Sequence, residues 1–369
     1  MKFTHHNKSY IFKRYPFTTN KSLRAWSAGD EYLLKKLDEI DMEGKDVAIF
    51  NDRFGFLTTT LHHLNPLIIT ERKSQVKSIE MNVTENKLGW NPEKCFSPLA
   101  KLPGSIDIGV INVPKTLDLF RLYLHQLSEA LTENGIVFCS FMTRHFSPQM
   151  LSIAGEFFED VDQSLAWKKS RVLVLQKKKA ADKIGILNTI PHTFADGYTQ
   201  DIKQYAGVFS SDNIDYATQF LIEHTKLSDD DRSVLDVGAG NGIIARAIQR
   251  QNPDTEIHLI DDSLLAIESS KLNLEKENTY FHWSDTLDEF SEKKFDLVVS
   301  NPPFHFGHEV NSEVAIDLFR EVAGVLKAGG RFICVANQHL GYSTHLKKFF
   351  RNFEILSQTD KYILYQSGM

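Results

Sequence analysis

The sequence predicts two tandem copies of one α/β domain, each a mostly parallel sheet with helices on both faces and an antiparallel strand at its end. A chain of 369 residues exceeds what one ordinary core holds. Short β-rich apolar runs alternate with longer helical patterns, as expected of parallel strands joined by helical crossovers. The second half also shadows the first, at an offset of roughly 185 to 195 residues.

Five landmarks recur in the same order. VAIFND at 47–52, followed by Phe54, Gly55 and Phe56, stands where the second half has SVLDVGAGNG. LIIT before Glu71 matches HLID ending at Asp261, and Asn82 in the following helical run matches Asn273. IGVINVPK, with Asn112 and Pro114, matches LVVSNPPF, with Asn301 and Pro303. Gly135 and Cys139 in NGIVFC match Gly330 and Cys334 in GGRFIC, and SRVLVLQ matches DKYILYQ with Gln176 opposite Gln366. One such match is chance; five in order imply a duplication, with domains over 1–183 and 184–369. At the end of the second copy GRFICVAN, a helical LKKFFRN, FEILSQT and KYILYQ bring two strands close together. That spacing suits antiparallel pairing, since a parallel return needs a longer crossover.

Composition adds limits. No apolar stretch approaches the roughly 18 residues of a membrane span, and MKFTHHNKSYIFKRYPF has no apolar core of a signal peptide, so a cytoplasmic protein is expected. A net charge of −6 argues against nonspecific coating of nucleic acid, which runs on neutralised phosphates. Local basic surfaces remain. No acid precedes Asp30, while Lys2, Lys8, Lys13, Arg14, Lys21 and Arg24 are interleaved with Tyr10, Phe12, Tyr15, Phe17 and Trp26. Phosphate contact with base stacking is one reading; a solvated edge with a few core aromatics is the other. Lys168, Lys169, Arg171, Lys177, Lys178, Lys179 and Lys183 fall where the interdomain linker is expected. Cys95, Cys139 and Cys334 lack metal-ligand spacing and read as buried thiols without a chemical role.

The chemistry concentrates in the second copy. Asp236-Val-Gly-Ala-Gly-Asn-Gly242 follows an apolar strand and opens a helical run, so Gly238, Gly240 and Gly242 let backbone approach a ligand, with Asn241 among the contacts. The spacing lacks the dinucleotide pattern G-x-G-x-x-G, and Asp236 can meet a cationic amine. D-x-G-x-G-x-G resembles the S-adenosylmethionine motif, and the sheet pattern resembles the seven-stranded class I methyltransferase fold. Asp261, ending the next strand, can grip two ribose hydroxyls; Asp262 is the weaker candidate, and Asp285 stands where this fold binds the adenine amino group. Opposite the glycines the first copy has Arg53-Phe54-Gly55-Phe56, with Glu71 opposite Asp261. One cofactor per chain is therefore expected.

FDLVVS runs into Asn301-Pro302-Pro303-Phe304, a pattern that marks methyltransferases acting on planar nitrogens. An exocyclic amine is a poor nucleophile because its lone pair is delocalised. If the Asn301 oxygen and the Pro302 carbonyl each accept one N–H, the lone pair is aimed at the methyl donor; prolines hold the acceptors rigid, and Phe304 stacks on the extruded base. Alignment then carries most of the rate, without a general base. His305 and His308 line the loop, and no metal is expected. Phe209, in GVFS ahead of Asp215, is either a wall over the cofactor or part of an N-capping turn for IDYATQFLIEH.

With NPPF, GVFS and a degenerate first half together, the chain resembles the bacterial ribosomal-RNA guanine-N2 methyltransferases over its whole length. RYPF, AWSAGDEYLL at 25–34, FND at 50–52, VPKTL at 113–117 and LAWKK at 165–169 are most similar to the large-subunit (23S) enzymes. The resemblance implies S-adenosylmethionine as cofactor, residues 301–304 as catalytic, 236–242 with Asp261 as cofactor-binding, and a first half that helps recognise rRNA. Ala239 departs from the cysteine frequent in that family. Small-subunit (16S) guanine-N2, adenine-N6 and protein glutamine-N5 methyltransferases, and a non-catalytic assembly factor, are the alternatives. Oligomeric state is open, with a monomer expected.

Overall fold

The computed structural model describes residues 1–20, 22–180, 184–210, 213–302 and 312–369, the first three of the last range by backbone alone. The chain forms two compact units, Met1–Ile186 and Leu187–Met369, divided slightly beyond the expected break.

The first unit opens with a hairpin of β1 (Lys2–His5) and β2 (Lys8–Ile11). Its turn residues His6 and Asn7 have φ of 44° and 60°, the left-handed pair that a two-residue hairpin loop requires. There follow α1 (Ala28–Leu37), β3 (Val47–Phe50), α2 (Phe56–Thr60), β4 (Leu67–Ile69), α3 (Lys73–Glu85) and β5 (Cys95–Phe96). Then come β6 (Ile106–Asn112), α4 (Leu117–Ala130), β7 (Leu131–Met142), α5 (Pro148–Phe157), β8 (Phe158–Gln163) and β9 (Ser170–Lys178). The strands after the hairpin form one sheet in the order β5-β4-β3-β6-β7-β9-β8, in which β9 alone runs against the others.

The second unit repeats this plan. A hairpin of β10 (Leu187–Thr193) and β11 (Thr199–Tyr205) precedes α6 (Tyr216–His224), β12 (Ser233–Val237), α7 (Ile243–Gln251), β13 (Glu256–Asp261), α8 (Leu264–Ser270) and β14 (Thr279–Trp283). It ends with β15 (Phe295–Ser300), α9 (Ser312–Val325), β16 (Leu326–Asn337), α10 (Tyr342–Leu346), β17 (Asn352–Gln358) and β18 (Tyr362–Gly368). The order β14-β13-β12-β15-β16-β18-β17 is the same seven-stranded plan. The short helix before β17 lies earlier than LKKFFRN suggested, ending at Leu346.

Central strands are apolar because both faces are covered. VAIF of β3 is wholly buried, as are Val234, Leu235, Leu297, Val298 and Val299 of β12 and β15. On one face of the second sheet Ile190 and Ile202 of the hairpin pack with α6 and α7; on the other, Phe319 and Val322 of α9 pack on Phe332 and Cys334.

The matched asparagines have one task. Asn82 exchanges two hydrogen bonds with the Lys13 backbone, at 2.8 and 2.9 Å, and donates to the Phe54 carbonyl at 2.8 Å. Asn273 does the same with the Lys203 backbone, at 2.8 and 2.7 Å, and with the Asn241 carbonyl at 2.9 Å. Each clamps the end of its hairpin to a helix and to the loop after the first sheet strand.

Of the two readings of the N-terminal aromatics the core one is observed for most of them, and the reading of the second basic cluster as linker is corrected. Most of the N-terminal aromatics are core: Tyr10, Phe12 and Trp26 are buried, Phe12 and Trp26 pack on each other and on Phe56, and Trp26 also packs on Phe3, leaving Phe17 exposed. Lys13 pairs with Glu85 and Arg24 with Glu31; Lys21 lies outside the described residues. The second basic cluster is not a linker, since Arg171, Lys177 and Lys178 belong to β9. Its lysines pair locally: Lys168 with Glu31, Lys177 with Asp160, and Lys178 with Glu133. Lys183 lies outside the described residues.

Asn273 is 4% exposed, so Asn273→Ala strands several buried backbone groups and should destabilise the second unit by about 3 kcal/mol. Denaturant unfolding should show this, and amide exchange should accelerate across 199–205 before the sheet is affected.

Candidate active site

Residues carrying the cofactor and acceptor motifs meet at the carboxyl edge of the second sheet, where β12, β13, β14 and β15 end side by side. Ligands of open α/β sheets bind at this edge, at the point where strand order reverses. Here β12 is that point, with β13 on one side and β15 on the other.

Gly238, Gly240 and Gly242 have φ of 74°, 57° and 79°, conformations that a side chain strains. They serve two purposes. A Cβ on Gly242 would lie 2.6 Å from Leu274 and 3.0 Å from Ser270, so this glycine lets α7 start against α8 and its neighbour, whereas Gly238 and Gly240 face open space with nothing within 4 Å of a Cβ. Asp261 fixes the loop, accepting from the Gly240 amide at 3.0 Å and the Ser263 amide at 2.8 Å. Asn241 does not extend toward a ligand. It is buried, donates to Gln204 of β11 at 2.7 Å and accepts from the Ile243 amide. The Asn241 side chain is thus a tether from the hairpin to the glycine loop. Gln204 also donates to the Ser210 carbonyl, joining the loop of Phe209 to the same anchor. Phe209 itself is 70% exposed.

Asp236 is fully buried beneath the glycine turn. One carboxylate oxygen accepts from the Ala245 amide at 3.2 Å, while Oδ1 is buried without a hydrogen-bond partner among the described residues. Desolvation, with Asp261 nearby, raises its pKa to about 7. An orphaned oxygen on a buried acid fits a cationic group, and the open faces of Gly238 and Gly240 fit a ligand lying against backbone. Asp285 follows the end of β14, part-exposed on the same edge.

Asn301 directly follows β15. Its amide nitrogen donates to Thr218 Oγ1 at 2.8 Å and to Asp215 Oδ2 at 3.2 Å. An ionised carboxylate only accepts, so the nitrogen must face Asp215 and the oxygen must point away. That oxygen is buried and has no hydrogen-bond partner among the described residues. Asp215 also caps α6, accepting from the Ala217 and Thr218 amides; the capping reading of this segment is thus the observed one. Pro302 is buried, and Pro303, Phe304, His305 and His308 lie outside the described residues.

The equivalent place in the first unit is closed. Asn112 donates to Asp30 at 2.7 Å, but its oxygen accepts from the Ser140 hydroxyl at 2.6 Å. Strand pairing puts Ser140 beside Asn112. The same register in the second unit, with Ser300 opposite Cys334, brings Val335 beside Asn301. Valine has no hydrogen to donate.

Register corrects one alignment. Phe50 pairs with Ile69, and Val237 with Ile260; one step on, the counterpart of Asp261 is Thr70, and Glu71 matches Asp262. Thr70 donates its hydroxyl to Gln75. The same counting from Phe96 and His282 sets Leu99 opposite Asp285. The first unit therefore has no carboxylate at the positions equivalent to Asp261 and Asp285.

Sequence comparison agrees over the full length. Residues 1–180 match the RLMG N-terminal domain, and residues 199–366 the methyltransferase small domain. The ribosomal RNA large subunit methyltransferase G of Shewanella baltica (strain OS195) is 30% identical over 366 residues, covering 96% of this chain and 95% of that protein. This chain belongs to the ribosomal RNA large subunit methyltransferase G family. The Pseudoalteromonas translucida protein of the same description is 29% identical over 371 residues, covering 97% of this chain and 95% of its own length. Among solved structures, the T. thermophilus 16S rRNA N2 methyltransferase RsmC, in complex with AdoMet and guanosine, shares the fold with a TM-score of 0.78 at 20% identity, covering 100% of this chain and 98% of its own.

Asp261→Ala should weaken S-adenosylmethionine binding by roughly 2 to 4 kcal/mol, as charged hydrogen bonds are lost. Thr70→Ala and Glu71→Ala should leave it unchanged, and calorimetry should count one cofactor per chain. A sulfonium cofactor with a cationic amino group favours the ionised form of Asp236, so affinity should fall as pH drops below about 7. Below that pH binding should expel a proton from Asp236, measurable by titration in buffers of different ionisation enthalpy and lost in Asp236→Asn. Without ligand the sign is reversed: because the folded state holds this proton more tightly, its contribution to stability is present below pH 3.8 and is lost as pH rises toward about 7.

Proposed function

We propose that this protein transfers a methyl group from S-adenosylmethionine to the exocyclic N2 of a guanine in 23S rRNA, in the cytoplasm, with one active site per chain in its second unit. The observation that carries the proposal is the orientation of Asn301: its amide nitrogen donates to Asp215 and Thr218, and its oxygen has no donor among the described residues. An acceptor so placed is what a planar N–H group needs.

The residues at this edge divide the work. Asp236 would face the amino group of the cofactor, Asp261 its ribose and Asp285 its adenine, with Gly238 and Gly240 leaving room for backbone contact. The cofactor supplies an electrophilic sulfonium methyl. Asn301 Oδ1 and the Pro302 carbonyl accept the two N–H groups of the amine and so turn its lone pair toward that methyl. Ser300 donates to the Val237 carbonyl at 2.7 Å, which ties the acceptor strand to the strand feeding the glycine turn. Rigid alignment of this kind lowers the entropic part of the barrier. No base is needed in the transition state, because the methylated nitrogen becomes acidic and sheds its proton afterwards. Phe304 completes the proposal as the stacking partner of a base drawn out of the RNA.

The names of the full-length relatives support large-subunit rRNA as the substrate. The guanosine in the RsmC complex supports N2 of guanine over adenine N6 or glutamine N5. Among the described residues no helix is long and apolar enough to cross a membrane.

Asn301→Ala should nearly abolish methyl transfer while S-adenosylmethionine affinity stays within a few-fold. Val335→Ser should act more subtly, placing a hydroxyl where Ser140 blocks Asn112 and lowering turnover roughly tenfold by occupying the acceptor. Nucleoside mass analysis of rRNA from a deletion strain, complemented with each variant, reads both effects. Wild-type levels of N2-methylguanine in 23S rRNA from the Asn301→Ala strain would remove the catalytic assignment, and unchanged rRNA in the deletion strain would remove the substrate.

A further inference from the structure

Among the described residues, one cluster of metal-ligating side chains has its ligand atoms converging, and it lies at the tip of the first hairpin. His5 ends β1, and His6 and Asn7 form the turn to β2. Successive side chains of a strand point to opposite faces. The left-handed φ of 44° at His6 undoes that alternation, and the His5 and His6 rings come together with centroids 4.1 Å apart. Both turn Nε2 toward one carboxylate oxygen, Asp38 Oδ1, which is 3.4 Å from His5 and 2.8 Å from His6. All three ligand atoms lie within 4.8 Å of one another. No local spacing marks this group, since Asp38 stands 32 residues beyond His6.

Electrostatics at this point favour a cation. Asp38 is the C-cap of α1, so its carboxylate adds to the partial negative charge of the helix end. Burial lowers the pKa of His5 against the pull of Asp38, and His6 and His63 lower it further. His5 is thereby held as the neutral imidazole, the form that ligates a metal. The second unit meets the same need with a permanent charge. Asp196, in the turn between β10 and β11, pairs with Arg250 near the end of α7, and that guanidinium lies 3.9 Å from the Tyr198 ring centroid. Each hairpin tip is tied to the end of a helix through a carboxylate, but the first has two imidazoles where the second has an arginine.

We propose that His5, His6 and Asp38 form a site for a divalent transition metal, zinc by the chemistry of the donors, that pins the tip of the first hairpin to the end of α1. Two imidazole nitrogens and one carboxylate oxygen suit Zn²⁺, whereas Mg²⁺ and Ca²⁺ take oxygen alone. Donors around a tetrahedral zinc lie about 3.4 Å apart. The His5 to Asp38 separation already has that value, and His6 needs to draw back from Asp38 by about half an ångström. The hydrogen bond between His6 and Asp38 does not exclude the metal, which displaces the shared proton and binds the same two atoms. His6 is 73% exposed by its side chain and gives the ion a path from solvent, with water in the fourth position. At its other end the hairpin is already fixed, since Asn86 exchanges two hydrogen bonds with the Ile11 backbone, both at 2.8 Å. The metal completes the docking of a segment whose Tyr10 and Phe12 belong to the core.

The test uses the untagged full-length protein, stripped of metal by a chelator that is then removed, with Zn²⁺ alone and Co²⁺ alone as probes. Calorimetry should count one Zn²⁺ per chain with a dissociation constant of about 10 μM or below, and Co²⁺ should give visible absorption bands that added Zn²⁺ abolishes. Because only the folded chain assembles the site, Zn²⁺ at about a hundred times its dissociation constant should raise the thermal midpoint by roughly 5 °C. His6→Asn supplies a residue that accepts positive φ, and Asp38→Asn keeps an acceptor for His6, so both should unfold at the midpoint of the metal-free protein. Each should weaken Zn²⁺ binding roughly tenfold or more and shrink the rise in midpoint accordingly. The double variant His305→Ala, His308→Ala removes the other closely spaced histidine pair and should alter neither. No Zn²⁺ binding at about 0.1 mM, full affinity in His6→Asn and Asp38→Asn, or loss of binding in the double variant would each overturn the proposal.

Discussion

Parallel strands send alternate side chains to opposite faces, so the functional edge of the second unit depends on pairing register. A slip of one residue between β12 and β13 would turn Asp261 away from the Gly240 amide that it holds at 3.0 Å. A slip between β12 and β15 would break the Ser300 to Val237 bond and carry Asn301 out of reach of α6. Hydrophobic burial on both faces of the central strands sets this register. The polar groups at the strand ends then find partners because their spacing is already correct.

Duplication makes the same constraint visible twice. In the first unit a helix amide is still capped by a buried carboxylate, but Asp52 in the loop supplies it, whereas in the second unit Asp236 does so from within the strand. A hairpin is still clamped by an asparagine, and a strand-end asparagine is still held by the first turn of the helix that precedes the first strand of its seven-stranded sheet, through Asp30 in one unit and Thr218 in the other. What differs is what remains after folding needs are met. Ser140 satisfies the oxygen of Asn112, and Val335 cannot do so for Asn301. A buried acceptor without a donor is costly to a fold, and the proposed acceptor role of Asn301 rests on that cost.

Several features were legible because they are local. The glycine turn, the apolar strands, the two prolines and the repeated landmarks follow from short-range chemistry: positive φ, two-sided burial and fixed backbone. Asp215 could be read as a helix cap, since an aspartate ahead of IDYATQF is a standard start signal. Its hold on Asn301, far along the chain, had no local trace. The basic aromatic N-terminus was left with two readings for a similar reason. Composition records that Tyr10, Phe12 and Trp26 lie among cations, but burial depends on Phe3 and Phe56, which belong to different elements.

Residue order was enough to establish two copies of a seven-stranded α/β fold, one intact glycine motif and the asparagine beyond the fourth strand of its sheet, because each rests on contacts within a few residues. Pairing across the sheet was required to find that Thr70 and not Glu71 is the counterpart of Asp261, that Asn241 is a tether to Gln204, and that Val335 brings no donor to the Asn301 oxygen. Those outcomes turn on which strands lie side by side and in what register, and that is settled when the core of each unit is buried as a whole.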